Sequence, residues 1–231
     1  MHILAFDTCF DGCSACVAEL QGGAVSILSA EFERFETGHA ERLVPMIGEV
    51  MREAHVTFDQ ICRIAVTTGP GTFTGTRIGI AAARSLALAT GAKTVAVSSL
   101  AVMAEAARAE VRDELLAVVV DARRGEVYAQ VFAAGDGTNA LTPPQLLMHE
   151  DAARVAGDRG IAFVGSGAAA VADIAAREGR HAVALLVDLV PDAAALAQLA
   201  GALPVSDAPL TPLYLRPPDA KPQDGKAIAR A

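Results

Sequence analysis

Apolar positions come in short blocks at the start of the chain. His2 to Phe6, Cys13 to Leu20 and Val25 to Phe32 read as three strands, separated by turns at Asp11-Gly12 and Gln21-Gly22-Gly23. Two tight hairpins in succession predict an antiparallel meander. The period then changes. Leu43, Met46, Ile47, Val50, Met51 and Ala54 recur at i, i+3, i+4 and i+7, which predicts a helix from about His39 to His55. Pro45 lies near its start, where a missing N–H does least harm. A strand from Ile61 to Val66, a helix through Ile78 to Ala89 and a strand from Thr94 to Val97 follow. Ser98-Ser99 supplies a cap for a further helix, Leu100 to Ala109. The first half therefore reads β-β-β-α-β-α-β before that last helix.

The second half begins like the first. Leu115 to Val120 is an apolar strand ending in Asp121, then Arg123-Arg124-Gly125 turns into a strand from Glu126 to Phe132. Ile3 to Phe6, Asp7, the turn near Gly12 and Cys13 to Leu20 have the same order, so strand, aspartate, glycine turn and strand form an internal repeat. Past Pro143-Pro144, which reads as a loop, come a short helix Glu150 to Ala156 and a strand Ile161 to Val164. Gly165-Ser166-Gly167 leads into a helix Ala168 to Arg177; a strand Val183 to Val187 and a helix Ala193 to Ala202 complete the pattern. From Ala208 the chain is rich in proline and charge and reads as an extended tail, frayed beyond Arg216.

Between the strand at Ile61 and the helix after it lies Thr67-Thr68-Gly69-Pro70-Gly71-Thr72-Phe73-Thr74-Gly75-Thr76-Arg77-Ile78-Gly79. It marks a sharp turn at the carboxyl end of a buried strand, with Thr72 or Thr74 as the helix N-cap. Helix N-termini attract anions, and the alternative is a tight turn with no ligand. A P-loop needs Lys then Ser or Thr after its second glycine, whereas Gly75 is followed by Thr76 and Arg77. Gly75, Gly79, Ala83 and Ala87 then recur every four residues, and Gly91 stops the helix as a C′ residue. Such a stripe admits a close neighbour, inside the chain or on another one. Two helix-interior glycines cost about 1 kcal/mol each relative to alanine, which that packing should offset.

Hydrophobic residues make up 52% of the 231 residues and charged ones 20%, so disorder over most of the length is excluded. With 19 Lys plus Arg against 27 Asp plus Glu, the net charge of −8 disfavours autonomous binding to nucleic acid. The opening residues meet Asp7 too soon for a leader, and the apolar runs are too short to span a bilayer. A soluble cytoplasmic protein is expected, with Cys9, Cys13, Cys16 and Cys62 as reduced thiols. If Cys13 to Leu20 is a strand, Cys13 and Cys16 point to opposite faces and cannot chelate one ion. No two of His2, His39, His55, His149 and His181 stand three or four residues apart; no metal site is expected.

Two lobes, each a mixed sheet with helices and an aspartate ending its first strand, match the ground plan of the actin-like ATPase (ASKHA, RNase H-like) α/β architecture. The second lobe is reduced. The expected division is 1–112 for the first lobe, 113–216 for the second and 217–231 for a flexible tail. Asp7 and Asp121 are the pair this plan places at a nucleotide or metal. Strand-end aspartates also form turns.

Ile3 to Thr8, His39 to Pro45, the run Gly69 to Gly79, Ser98-Ser99-Leu100 and Asp121 to Tyr128 together resemble the bacterial TsaB (YeaZ) family, with weaker support from Pro212 to Arg216. The resemblance implies a non-catalytic pseudo-enzyme subunit that binds and activates TsaD in making threonylcarbamoyladenosine on tRNA beside the anticodon. It further implies TsaE and a second copy as partners, and tRNA contact only through the complex. No cofactor of its own is implied; ATP and magnesium belong to the complex with TsaD and TsaE. The family's pairing surface, carried over, falls on His39, Leu43, Val44, Met46, Ile47 and Val50 of the first helix. On the second it falls on Gly75, Arg77, Ile78, Gly79, Ala82, Ala83 and Leu86. A vestigial nucleotide site would take Asp7, Thr8 and Asp121. On this view Gly79→Leu weakens pairing and leaves the fold largely intact. The competing reading is an active ATPase or small-molecule kinase of the actin-like fold using Asp7 and Asp121.

Overall fold

The computed structural model describes residues 1–111, 115–135, 139–206 and 208–217. Strands β1 (His2–Asp7), β2 (Gly12–Gln21) and β3 (Ala24–Arg34) form the expected meander, with Asp7 opposite Ser14 and Gly12 opposite Arg34. Then come α1 (His39–Glu53), β4 (Ile61–Thr67), α2 (Phe73–Thr90), β5 (Lys93–Val97) and α3 (Ser99–Ala107). The second half runs β6 (Leu115–Asp121), β7 (Glu126–Phe132), β8 (Gln145–Met148), α4 (His149–Ala152), β9 (Ile161–Val164), α5 (Ala168–Arg177), β10 (Ala182–Leu185) and α6 (Ala193–Ala202).

Each half makes one five-stranded sheet, in the orders β3-β2-β1-β4-β5 and β8-β7-β6-β9-β10. The two orders are the same, strand for strand, so the repeat extends over the whole fold. Within each sheet the meander pairs antiparallel and the remaining strands join in parallel. Reduction of the second half is in strand length: β8, β9 and β10 have 4 residues each, against 11, 7 and 5 for their counterparts β3, β4 and β5.

The predicted elements are present with three differences. Gln145–Met148, which the pattern assigned to no element, is an edge strand; proline is tolerated just before a short edge strand because no ladder N–H is needed there. The helix at Glu150 shrinks to His149–Ala152. The third concerns the lobes. Although α6 follows the second sheet in sequence, Ala193, Leu196, Leu199 and Ala200 pack with Ile3, Ala5 and Cys16 of the first. Within the expected 113–216 unit, α6 and Leu210 thus pack on the first sheet.

Helices cover both faces of the first sheet at its centre, which is why β1 and the first seven residues of β2 are buried at nearly every position. Leu4, Phe6, Cys13 and Val17 point to the α1–α2 side, and Ile3, Ala5, Cys16 and Ala18 to the α3–α6 side. Cys13 and Cys16 thus face opposite ways, as period two requires. The join between lobes is α3. Its Val102 packs on the first sheet, while Leu100, Met103, Ala104 and Ala107 pack with Leu116, Val118, Phe132 and Val164 of the second. A helix buried between two sheets has to be apolar all round, as Ser99-Leu100-Ala101-Val102-Met103-Ala104 is.

Met103 is fully buried in this shared core. Met103→Ala should cost about 2–5 kcal/mol and lower the stability of both lobes in one cooperative transition. Denaturant unfolding followed by two probes, one in each lobe, checks this; separate transitions would contradict the shared core.

Candidate functional site around the glycine-rich turn

Thr72 starts α2 by accepting the N–H of Gly75 on its hydroxyl at 3.1 Å, and Gly91 ends it at φ 74°. The turn before Thr72 is packed against the two residues that follow β1. The Thr72 N–H donates to the Cys9 carbonyl at 2.7 Å, and the Thr8 hydroxyl donates to the Gly75 carbonyl at 2.7 Å. Only glycine fits here. A Cβ on Gly71 would sit 2.4 Å from the Cys9 oxygen, and one on Gly75 2.0 Å from the Thr8 oxygen. The Thr72 and Gly75 N–H groups are thus engaged inside the chain. Of the two alternatives, the geometry is that of a tight turn filled by Thr8 and Cys9.

Asp7 lies beneath this contact, fully buried. The Thr67 hydroxyl donates to it, and the Cys9 N–H lies 3.3 Å from both its oxygens. Burial pushes its pKa up to about 7, against the lowering effect of the Thr67 and Cys9 bonds; Asp192 adds a small push in the same direction. The neighbouring Cys9 thiol donates to Thr67 Oγ1 at 3.2 Å, and burial drives its pKa far above the usual thiol range. It is therefore an inert thiol.

Asp121, the equivalent residue of β6, is exposed. It accepts the Arg123 N–H at 2.8 Å and opens onto a cavity of about 410 Å³ between the lobes. Phe10, Thr72, Arg123, Tyr128 and Arg216 line that cavity with it. Asp7 and Thr8 are absent from its lining, so the predicted carboxylate pair is not brought to one open site: one member is sealed and the other open. Among the described residues no three His, Cys, Asp or Glu side chains gather as metal ligands.

The helix residues divide sharply. Leu43, Met46, Ile47 and Val50 are buried under α1, and His39 is buried with Nε2 donating to the Phe10 carbonyl at 2.8 Å. Gly75, Gly79 and Ala83 face the chain's own sheet. A Cβ on Gly79 would lie 2.8 Å from Thr8 Oγ1, with Val66 Cγ2 at 3.3 Å. The small stripe thus has its close neighbour inside the chain and is not a free surface; the expectation that Gly79→Leu spares the fold is overturned. Ile78, Ala82 and Leu86 are partly buried against the same core. Of the predicted set, Val44, 67% exposed, and Arg77 stand in solvent.

What faces outward is a different row: Val44, Pro45 and Gly48 on α1, and Ala81, Ser85 and Leu88 on α2. Leu88 is 90% exposed. On the other flank of α1, Arg42 pairs with Glu31 and Glu33 of β3 and with Glu49. Sequence reasoning missed Leu88 because it followed the small stripe. It also missed Arg77's engagement: its guanidinium lies 3.6 Å over Phe73 and its Nε donates to the Tyr214 hydroxyl at 2.7 Å.

Two outcomes follow from the packed turn. Gly75→Ala should destabilise the fold by several kcal/mol, read as a lowered denaturation midpoint, because backbone lies in the way. Asp7 has a raised folded pKa, so its protonated form favours the fold: that stability is complete below the unfolded value of 3.8 and is lost as pH rises through about 7. Between pH 5 and pH 8 the loss should be roughly 2–3 kcal/mol, at up to about 1.4 kcal/mol per pH unit. Asp7→Asn should remove that slope in urea unfolding at the two pH values; an unchanged slope would show that another group carries it.

A family model described as TsaD, tRNA N6-adenosine threonylcarbamoyltransferase, matches residues 33–208. The tRNA threonylcarbamoyladenosine biosynthesis protein TsaB of Escherichia coli strain K12 is 33% identical over 165 residues, 68% of this chain and 69% of that protein. The protein of the same name from Bacillus subtilis strain 168 is 30% identical over 152 residues, covering 65% and 64% of the two chains. The solved structure of YeaZ from Pseudomonas aeruginosa superposes with a TM-score of 0.78 at 31% identity, over 93% of this chain and 99% of that one. Sequence, family model and superposed fold agree, with the doubled actin-like architecture running through the superposition: the chain belongs to the TsaB (YeaZ) family.

Proposed function

We propose that this chain is a non-catalytic subunit that binds and activates TsaD in forming threonylcarbamoyladenosine at the tRNA adenosine beside the anticodon. The names of its relatives place them in that pathway, and the family model matched is that of the transferase. The observation that carries the reading is the outward face of α1 and α2. Its apolar side chains Val44 and Leu88 are exposed, and the core beneath takes nothing from the second sheet. Small residues at Gly48, Ala81 and Ser85 keep the face low between them, which suits a close helix–helix contact.

TsaD is the occupant proposed for this face, with a second copy of the chain as its competitor and TsaE joining the assembly. In this reading tRNA is met through the complex, consistent with a net charge of −8. The setting is the cytoplasm; no helix among the described residues is long and apolar enough to cross a membrane. ATP and magnesium belong to the assembly with TsaD and TsaE. Sealing of Asp7 under the glycine-rich turn weighs against the second reading, an ATPase using Asp7 and Asp121, because a metal or phosphate would have to displace the Thr8–Cys9 contact.

Mixing the chain with TsaD from the same source should give a co-eluting complex that supports threonylcarbamoyl transfer. Val44→Glu with Leu88→Glu should weaken the pairing at least tenfold and leave the unfolding midpoint close to wild type, since both sites are exposed. Unchanged pairing would remove the assigned face. Robust magnesium-dependent ATP hydrolysis by the isolated chain would favour the second reading.

A further inference from the structure

Residues 208–217 contain no helix or strand, and Pro209, Pro212 and Pro217 favour an extended course. This segment nevertheless touches three separate parts of the molecule. Leu210 is its one buried residue and enters the α1–α2 core, where the Arg84 guanidinium donates to its carbonyl. The Leu213 N–H then donates to the Thr68 carbonyl at 2.7 Å, and its own oxygen lies 3.0 Å from where a Gly69 Cβ would be. Tyr214 stacks on Phe73 with ring centroids 5.7 Å apart and takes the Arg77 hydrogen bond. Arg216 crosses to the second lobe, pairs with Glu126 and reaches the Arg123 carbonyl at 3.5 Å.

We infer that residues 208–216 form a releasable strap over the glycine-rich turn, seated at Leu210 and latched across the lobes by Arg216 and Glu126. The division of contacts supports release. The lobes themselves are joined by the apolar core around α3, which the strap does not enter. The strap's own ties are one buried side chain, one backbone bond to the turn and partly exposed side-chain contacts, the kind of region that opens without global unfolding. Seated, it covers Gly69 and the Thr68 carbonyl, and Arg216 forms one wall of the cavity that holds Asp121, Arg123 and Tyr128. Released, it uncovers the outer side of the turn, frees Phe73 and Arg77 at the start of α2, and widens the mouth of the cavity.

Hydrogen exchange of the full chain, detected by NMR, tests this. In Arg216→Ala and in Glu126→Gln the Leu213 amide should exchange at least tenfold faster than in the wild type, while the amides of Leu4 and Ile64 in the first sheet keep their protection. Leu210→Ala, which loosens the other end, should speed Leu213 exchange in the same selective way. Wild-type protection of Leu213 in both latch variants would overturn the latch. Loss of protection at Leu213, Leu4 and Ile64 in step would show that the segment opens only with the whole fold, which also overturns the inference.

Discussion

The approach of the Thr8–Cys9 backbone to the glycine-rich turn governs the arrangement of the first lobe. Three glycines allow it: Gly71 against Cys9, and Gly75 and Gly79 against Thr8. With no Cβ between them, α2 descends onto the ends of β1 and β4 and two hydrogen bonds of 2.7 Å close the seam. Each consequence follows from geometry. Asp7 is shut away from solvent and held near neutrality, α2's small-residue side is buried on its own sheet, and its opposite side has to face outward. The cost of two helix-interior glycines, about 1 kcal/mol each, is offset by contacts within the chain, not by a partner.

A second constraint comes from the exchange of helices between halves. The third helix of the first half, α3, packs on the second sheet as well as the first, and the third helix of the second half, α6, returns to the first sheet. The two apolar clusters on either side of α3 are therefore held together by that one helix. Moving them apart would expose Leu100, Met103 and Phe132, all essentially inaccessible now. Such a join favours a rigid frame that presents a fixed surface over a cleft that opens and closes around a substrate.

The fold was legible where local chemistry decides. Thr72, Ser98 and Gly91 are the caps their positions suggest, and the alternation that put Cys13 and Cys16 on opposite faces is met in two different cores. What lies against a face is not local. The stripe Gly75, Gly79 and Ala83 showed that α2 needs a close neighbour, but that neighbour, Thr8, is 67 residues away from Gly75 in sequence. The prolines at 143 and 144 concealed β8 because an edge strand carries little pattern of its own in 4 residues. Nothing in the composition of Ala193 to Ala202 tells which sheet an apolar helix will choose. In the candidate site the residue types were right and their solvation was not, since burial is set by packing across the fold.

The duplication makes that last point physical. Asp7 and Asp121 end equivalent strands in equivalent sheets, yet one is fully buried and the other exposed. The glycine turns that cover the two strand ends dock at different depths. In the first half Thr72 donates to Cys9, two residues beyond the aspartate; in the second Gly167 donates to Val119, two residues before it, at 3.0 Å. A turn docked past the strand end closes over the carboxylate, whereas one docked short of it leaves the carboxylate in the open, with Ser166 reaching only its backbone N–H. Displacement of the docking point by four residues along the strand thus turns one repeated motif into a sealed structural carboxyl and a solvated one. The different solvation of the two carboxylates needs no difference at either aspartate, only this difference in where the turns rest.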